Sequence, residues 1–138
     1  MPRDTYRFQP MTADDLPLVR HWLKTTHVSE WWGDPAEQLT LVSGDLDEPA
    51  MEQFIVVKED RAFAYLQCYV QTAWPENGLG LHPAGTRGID QFIGEADMVG
   101  CGHGSAFIRA FTDRLLATGT PRVITDPDPV NARAVRAY

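Results

Sequence analysis

The order of apolar segments predicts a mixed α/β domain whose central sheet is partly antiparallel and partly connected by a crossover helix. Two observations support this prediction. A buried-type strand at residues 53–58 is followed by a two-residue turn and a second strand at 61–70, which is typical of an antiparallel hairpin. Further along, a strand at 88–93 runs through glycines into an amphipathic helix at 105–118 and then to another strand. Because no repeat or linker interrupts this order, we expect one domain over residues 1–138.

The N-terminal part predicts one strand and two helices. Residues 6–11 alternate between apolar and polar, as a half-buried strand does. Thr12 and two following acids then provide a helix cap, and the first helix ends near Lys24. Its apolar face consists of Leu16, Val19, Trp22 and Leu23. A second helix begins with the cap Asp34 and a proline, and we expect it to end near Val42, before a loop over 43–49.

The second strand of the hairpin has two different faces. Tyr65, Gln67 and Tyr69 share one face because side chains alternate along a strand, and apolar residues occupy the other. A face of Tyr, Gln and Tyr is compatible with the lining of a cleft, and equally with a half-solvated sheet surface. A long loop at residues 72–85 follows, and loops of this length in compact domains are often functional.

The stretch at residues 87–109 has the pattern of a phosphate-binding loop. A strand leads through an acidic turn at 94–97 to the alternating glycines Gly100, Gly102 and Gly104, and a helix begins at Ser105. Glycine lets the backbone approach a ligand closely, and a helix N-terminus offers unpaired N–H groups and roughly half a positive charge. The alternative is a tight strand-to-helix turn without a ligand. The predicted apolar stripe of the helix is Phe107, Ile108, Phe111, Leu115 and Leu116, with Gly119 as its stop.

Composition excludes several classes of function. The 138 residues have a formal net charge of −7, which argues against nucleic acid and anionic membranes as partners and is compatible with a cationic substrate. The chain has no apolar run of membrane-spanning length and no signal peptide at its start. Its two cysteines, Cys68 on a strand and Cys101 in a loop, fit reduced thiols in a cytoplasmic protein. The four histidines are dispersed, so we expect no metal site.

Several stretches together resemble the GNAT family of acetyl-CoA-dependent N-acetyltransferases, and within it the aminoglycoside 6'-N-acetyltransferases. They are HVSEWWG at 27–33, residues 65–69, RGIDQFIGEADM at 87–98, and TDP at 125–127 followed by Asn-x-Arg-Ala and a tyrosine. The resemblance implies a GNAT fold, with a mixed, mostly antiparallel central sheet flanked by helices. It implies acetyl-CoA as the cofactor, a small cationic amine as the substrate, and a monomer or homodimer.

The resemblance also implies roles for individual residues. Asp90 accepts the proton of the amine, directly or through water, and Tyr138 protonates the leaving thiolate. The residues implied for cofactor binding are Gln91, Phe92, Ile93, Met98, Val99, Gly100, Cys101, Gly102, His103, Gly104, Ser105 and Asn131. The residues implied for substrate binding are Trp31, Trp32, Tyr65, Asp90 and Asp126. An aspartate is a weak base unless burial or a nearby acid, such as Glu95 or Asp97, raises its pKa.

The chain departs from the family at several positions. Val99 replaces the usual Gln or Arg of the pyrophosphate motif, and His103 replaces a small apolar residue; neither change removes backbone N–H groups. The loop at 72–85 has few acids and aromatics, which weakens the prediction of aminoglycoside specificity. The sequence stops at Tyr138, where family members continue, so we expect a C-terminally truncated domain whose last strands are missing.

Two alternatives to aminoglycoside acetylation follow from these departures. The first is an acyl-CoA-dependent N-acyltransferase of siderophore biosynthesis, which acts on hydroxylysine-type amines. The second is a truncated, non-catalytic relative that binds coenzyme A. If the protein is an acetyltransferase or the related acyltransferase, we expect the two strands near Asp90 to splay apart and leave a backbone N–H for the thioester oxygen. One fixed donor of this kind stabilises the transition state by about 3 kcal/mol.

Overall fold

A five-stranded mixed sheet forms the centre of the protein, as described for residues 6–73 and 84–125 by a computed structural model. The strands follow one another across the sheet in chain order. The first four are antiparallel, and the fifth is parallel to the fourth. They are β1 (Tyr6–Pro10), β2 (Met51–Lys58), β3 (Arg61–Val70), β4 (Arg87–Ile93) and β5 (Val123–Ile124). The predicted mixed, mostly antiparallel sheet is confirmed.

Helices cover both faces of this sheet. They are α1 (Leu16–Leu23), α2 (Thr26–Trp32), α3 (Pro35–Asp45) and α4 (His103–Ala117). Short 3-10 turns occur at Ala13–Asp15, Gln71–Ala73 and Ala96–Met98. The predicted cap before α1 is confirmed as a capping box, in which Thr12 accepts from the backbone and Asp15 reaches back to Thr12. None of the helices in the described residues is long and apolar enough to cross a lipid bilayer.

Two apolar cores lie on opposite faces of the sheet. On one face, α4 packs against the sheet through Phe107, Phe111 and other buried residues. On the other face, α1, α2 and α3 pack through Val19, Trp22 and Val42 against residues that include Tyr65. In the second half of β3, Leu66 and Cys68 belong to the core beside α4 and Tyr65 to the other core, as predicted from the alternation of side chains along a strand.

Most predicted elements are confirmed, with shifts at their ends. The hairpin turns at Glu59 and Asp60, whose φ angles are both positive, as a two-residue hairpin loop requires. Gly119 has a φ of +101° and ends α4 as predicted. The prediction that Leu116 belongs to the apolar stripe of α4 is wrong, since this residue is 48% exposed. Leu115 is buried, and the next residue along a helix is rotated by about 100°, which turns Leu116 away from the core.

Two differences concern the helices before β2. We expected α3 to stop near Val42, but it continues to Asp45 through Ser43 and Gly44, although these are poor helix formers. Helix α2 also occupies a stretch for which the sequence predicted no element. The predicted last helix and most of the long loop lie outside the described residues.

Candidate active site

A cleft of about 240 Å³ opens between α3 and the middle of the sheet, beside Asp90 of β4. Its position follows from the register of the sheet. Asp90 lies opposite Gln67 of β3 and points to the face covered by α1, α2 and α3. The lining residues are Trp32, Gln38, Leu41, Val42, Asp45, Met51, Gln67, Tyr69 and Asp90. The prediction that the Tyr-Gln-Tyr face of β3 lines a cleft is therefore confirmed for Gln67 and Tyr69.

A chain of hydrogen bonds leads from α3 through the core to Asp90. Gln53 Nε2 donates to the Val42 carbonyl at 2.9 Å and lies 3.1 Å from the Tyr65 hydroxyl. The Tyr65 hydroxyl donates to Gln67 Oε1 at 2.7 Å. Gln67 Nε2 donates to Asp90 Oδ2 at 3.1 Å. The orientation of the Asp90 carboxylate is therefore tied to the interior of the protein.

The cleft has negative electrostatic character. Asp45, in the last turn of α3, lines it together with Asp90, and the carbonyl ends of a helix add a partial negative charge. Burial, together with the nearby Glu48, raises the pKa of the Asp45 carboxyl above its ordinary value. Repulsion and desolvation of this kind are relieved when a cation enters, so the cleft favours an ammonium group.

The aromatic residues predicted to bind substrate occupy three different environments. Trp32 is half-buried, lines the cleft, and packs edge-on against Phe92 and Tyr65. Trp31, one position earlier on α2, is 38% exposed and is not among the lining residues. Tyr65 has no exposed surface, so in this structure its hydroxyl reaches the cleft only through Gln67. Burial raises the pKa of the Tyr65 phenol, with Asp45 and Asp90 adding to the effect.

The opposite edge of β4 is contacted by β5 and by two side chains. β5 pairs with β4 only at Arg87 and Gly88, and within the described residues no strand pairs with this edge of β4 beyond that point. The Ile89 carbonyl accepts from the Thr125 hydroxyl at 3.3 Å, and the Ile93 carbonyl lies 2.9 Å from His27 Nε2. Side chains, and no described strand, therefore contact these two carbonyls.

The glycine loop leads from β4 into an α4 N-terminus that has open space around it. Gly100 and Gly102 have φ angles of +76° and +85°, which favour glycine. A Cβ built at either position meets no other atom within 4 Å among the described residues. Gly102 is the N-cap of α4 and gives the helix no side-chain cap. No side-chain hydrogen bond caps the N-terminus of this 15-residue helix, which is a common feature of helix ends that bind anions.

The other residues predicted to bind cofactor lie around this loop in different ways. Gly104 and Ser105 are in the first turn of α4, because the helix begins at His103, two residues before the predicted start at Ser105. The His103 Nδ1 atom lies 2.9 Å from the Tyr6 hydroxyl, so this histidine is tied to β1. Cys101 is exposed, whereas Met98 and Phe92 are buried in the two cores and offer only their backbones. Gln91, Ile93 and Val99 are half-buried.

The suggestion that Glu95 or Asp97 tunes the acidity of Asp90 is wrong. Arg61 binds both Asp97 oxygens, at 2.9 and 2.7 Å, and Glu95 at 3.2 Å. Glu95 also accepts from Trp22 Nε1 at 2.6 Å. Five residues along an extended chain correspond to about 16 Å, so closeness in sequence did not bring these acids to Asp90.

These two acids line a second cleft, which is wider and more open. Its volume is about 750 Å³, and it lies between the α1–α2 junction and the acidic turn. His21, His27 and Glu30 are on its helical side. The Arg61 guanidinium beside Asp97 lowers the pKa of that carboxyl, so the turn stays ionised.

Three predicted residues lie outside the part of the chain that the structure describes: Asp126, Asn131 and Tyr138. Within that part, no group of three or more His, Cys, Asp or Glu side chains is arranged to hold a metal ion. Sequence reasoning missed Asp45, Gln53 and His27. The only feature of the sequence that could have indicated Asp45 is its position at the end of a helix, followed by further acids. Because we expected the helix to end at Val42, Asp45 was assigned to the loop.

Comparison with known proteins identifies the family. The model of the acetyltransferase (GNAT) domain matches residues 11–138. Aminoglycoside N(6')-acetyltransferase type 1 of Klebsiella pneumoniae is 30% identical over 98% of this chain and 72% of its own length. The structure of AAC(6')-Ib with coenzyme A and kanamycin has a TM-score of 0.83 and 29% identity, over 97% of this chain and 81% of the other.

A third relative supports the fold. The aminoglycoside N(6')-acetyltransferase of Legionella pneumophila has a TM-score of 0.74 at 23% identity, and covers all of this chain and 79% of its own. The glycine loop at a helix without a side-chain cap, the parallel pairing of β4 with β5 and the carboxylate of β4 thus occur in a chain that matches the family model over most of its length. The protein belongs to the GNAT family and is an acetyl-CoA-dependent N-acetyltransferase.

Proposed function

We propose that this enzyme transfers the acetyl group of acetyl-CoA to the 6'-amino group of an aminoglycoside. The observation that supports the acceptor class is the cleft beside Asp90, which combines two carboxylates with Trp32 and Tyr69. Aminoglycosides carry several ammonium groups on their saturated rings. Carboxylates attract such groups, and aromatic faces add cation–π contact. The relatives that cover nearly the whole chain bear the name of this activity.

The acceptor and the cofactor would bind on different sides of β4. Bound acetyl-CoA supplies the thioester that is attacked. Gly100, Gly102 and the first N–H groups of α4 would hold its pyrophosphate, and the edge of β4 beyond Gly88 would direct its arm toward Asp90. In this arrangement the acceptor enters from the α3 side and the cofactor from the α4 side.

Asp90 would bind the acceptor as an ammonium and then take its proton, directly or through water. A free amine is needed because an ammonium has no lone pair to attack the thioester carbon. The new C–N bond forms as the C–S bond breaks, and the leaving thiolate takes a proton. By resemblance, Tyr138 provides that proton, Asn131 binds the cofactor arm, and Asp126 contacts the cationic substrate; these three assignments remain predictions.

The proposal is tested by thiol release from acetyl-CoA in the presence of kanamycin, lysine or N6-hydroxylysine. We expect release with kanamycin and acetylation at the 6'-amino group in the NMR spectrum of the product. Asp90→Asn should lower kcat/KM at least 100-fold, in line with the loss of a general base. Asp113→Asn, which removes an exposed carboxylate from α4, is the matched control and should change little.

The same assay also separates the alternatives. Turnover with N6-hydroxylysine but not with kanamycin would replace the aminoglycoside with a siderophore precursor as the acceptor. Coenzyme A binding in calorimetry, without turnover of any of the three amines, would instead favour a non-catalytic protein. Full activity of Asp90→Asn with kanamycin would retain the acceptor and remove the proposed role of Asp90.

A further inference from the structure

We infer that Gln53 and Tyr65 are positioning residues, which act through Gln67 to hold Asp90 as an ionised hydrogen-bond acceptor facing the acceptor cleft. This inference rests on the proposed role of Asp90 in amine acetylation. It deepens that role, because it identifies what keeps the carboxylate ready for a cation. Gln53 was not among the residues predicted from the sequence, and Tyr65 was predicted to touch the substrate itself.

The direction of every hydrogen bond in the chain is set at its α3 end. The Val42 carbonyl can only accept, so the Gln53 side chain must present its NH₂ group there. That same NH₂ group faces the Tyr65 oxygen, which therefore accepts from it and keeps its own proton for Gln67. Gln67 then has its oxygen occupied by Tyr65 and presents its NH₂ group to Asp90. The chain thus ends on Asp90 as an acceptor.

This polarity favours the ionised form of Asp90. A carboxylate accepts from the Gln67 NH₂ group more strongly than the carbonyl oxygen of a neutral acid does. A carboxylic acid protonated on Oδ2, the oxygen that faces Gln67, would also require the Gln67 amide to turn over. Turning that amide would place an NH₂ group against the Tyr65 proton. Tyr65 would then have to rotate its O–H toward Gln53, where another NH₂ group is fixed by the Val42 carbonyl. Reversal therefore breaks at least one buried hydrogen bond.

Burial makes that reversal costly. Tyr65 has no exposed surface and Gln53 is 8% exposed, so water has little access to a donor left without an acceptor. Burial also raises the pKa of the phenol, so Tyr65 keeps the proton that it donates. Satisfied buried networks of this kind also fix side-chain orientation. The chain therefore acts on both the charge and the direction of the Asp90 carboxylate.

The chain also links the acceptor cleft to α3. The Val42 carbonyl belongs to the last turn of α3, where carbonyls have no partner within the helix. Gln53 satisfies this carbonyl from β2, so the same contact anchors the helix end and starts the chain. Asp45 is one turn further and faces the cleft. A cation bound between Asp45 and Asp90 thus contacts α3 and β4, which the chain of hydrogen bonds connects.

The test compares Tyr65→Phe and Gln53→Met with the parent enzyme. Each variant keeps most of the volume of the side chain and removes the two hydrogen bonds that this side chain makes in the chain. We expect kcat/KM for the aminoglycoside to fall about ten-fold at pH 6, a change equivalent to the net contribution of about one hydrogen bond, and less at pH 8. The acid limb of the kcat/KM profile should move to higher pH, because a carboxylate with a poorly held donor retains its proton more tightly.

Other titratable groups near Asp90 need their own control, because they could also set the acid limb of the profile. Within the described residues, the titratable side chains that face it are Asp45 from α3 and Tyr65 and Tyr69 from β3. The Arg87–Glu52 ion pair lies on the opposite face of the sheet, beside Cys68. The shift of the acid limb should persist when Tyr65→Phe is made in an Asp45→Asn background. Its disappearance there would assign the limb to Asp45 and overturn the inference.

A stability control separates positioning from simple loosening of the core. Val56→Ala removes buried volume from the other face of the sheet, and it should lower Tm while leaving the acid limb in place. The carboxyl carbon of Asp90, followed by NMR with labelled aspartate, should titrate at higher pH in Tyr65→Phe than in the parent. An unchanged titration and an unchanged limb in both chain variants would overturn the inference.

The outcome is distinguishable from failure of the proposed function. If Asp90→Asn abolishes acetyl transfer while both chain variants keep the parent profile, Asp90 acts but the chain does not position it. If Asp90→Asn is fully active, the proposed role of Asp90 fails, and the NMR titration still reports whether the chain holds the carboxylate.

Discussion

Replacing Gly102 by alanine tests whether the glycine loop binds the cofactor. Gly102 has a φ of +85° and is the N-cap of α4. A left-handed conformation costs a residue with a Cβ about 1–2 kcal/mol, and the new Cβ meets no neighbouring atom within 4 Å. We therefore expect a loss of about 1–2 kcal/mol in the free energy of unfolding, which lowers Tm by a few degrees in a domain of this size.

The effect on cofactor binding should be larger than the effect on stability. A methyl group at Gly102 occupies the open space in which the pyrophosphate would contact the backbone N–H groups. Loss of one hydrogen bond to a charged group costs about 1.5–3 kcal/mol, which corresponds to a ten-fold or greater rise in KM for acetyl-CoA. The measurement is steady-state kinetics with varied acetyl-CoA at saturating kanamycin, together with calorimetry of coenzyme A binding.

The matched control is Gly119→Ala, at the other end of the same helix. Gly119 has a φ of +101° and equally open surroundings, so the backbone strain is nearly the same. It should lower Tm by a similar amount and leave KM for acetyl-CoA unchanged. If Gly102→Ala binds coenzyme A as well as Gly119→Ala does, the reasoning that places the pyrophosphate on this loop is refuted.

Two further predictions concern the acceptor cleft and the acidic turn. Asp45→Asn should raise Tm slightly at neutral pH and raise KM for the aminoglycoside several-fold. The raised pKa of Asp45 means that the folded state disfavours its charge. The charged carboxylate therefore lowers the stability above that pKa, and this loss of stability disappears as pH falls. An unchanged KM would remove Asp45 from the acceptor site. Gly94→Ala should lower the free energy of unfolding by about 1–3 kcal/mol, because the new Cβ would overlap with the buried Trp22 ring. Denaturant melts would contradict this if the variant is as stable as the parent.

The local parts of the fold were predictable from sequence because their causes are local. The hairpin around Glu59 and Asp60 follows from two alternating runs separated by two residues. The strand at Asp90, the glycines and α4 follow from the change of hydrophobic period at a flexible turn. Each of these signals depends on residues within a few positions of one another, so no knowledge of the packing was needed.

The polar contacts of the site were not predictable because they join residues that are distant in sequence. Gln53 meets Val42 only because β2 returns beneath the end of α3, and Gln67 meets Asp90 only through the register of β3 with β4. For Glu95, closeness in sequence led to a contact with Asp90 being expected. Glu95 lies beyond the end of the extended strand that carries Asp90, and it contacts Arg61 and Trp22 instead. Periodicity assigns a face to each residue and leaves its partner undetermined.

The glycine loop is anchored at both of its ends. On the strand side, Arg61 holds the acidic turn through Asp97, and Met98 is buried in the core. On the helix side, His103 is fixed to Tyr6 of the edge strand. Only residues 99–102 lie between these anchors, and two of the four are glycines with positive φ. If the loop binds a phosphate as proposed, only this short segment would have to be ordered between its anchors, so little ordering entropy would be lost on binding.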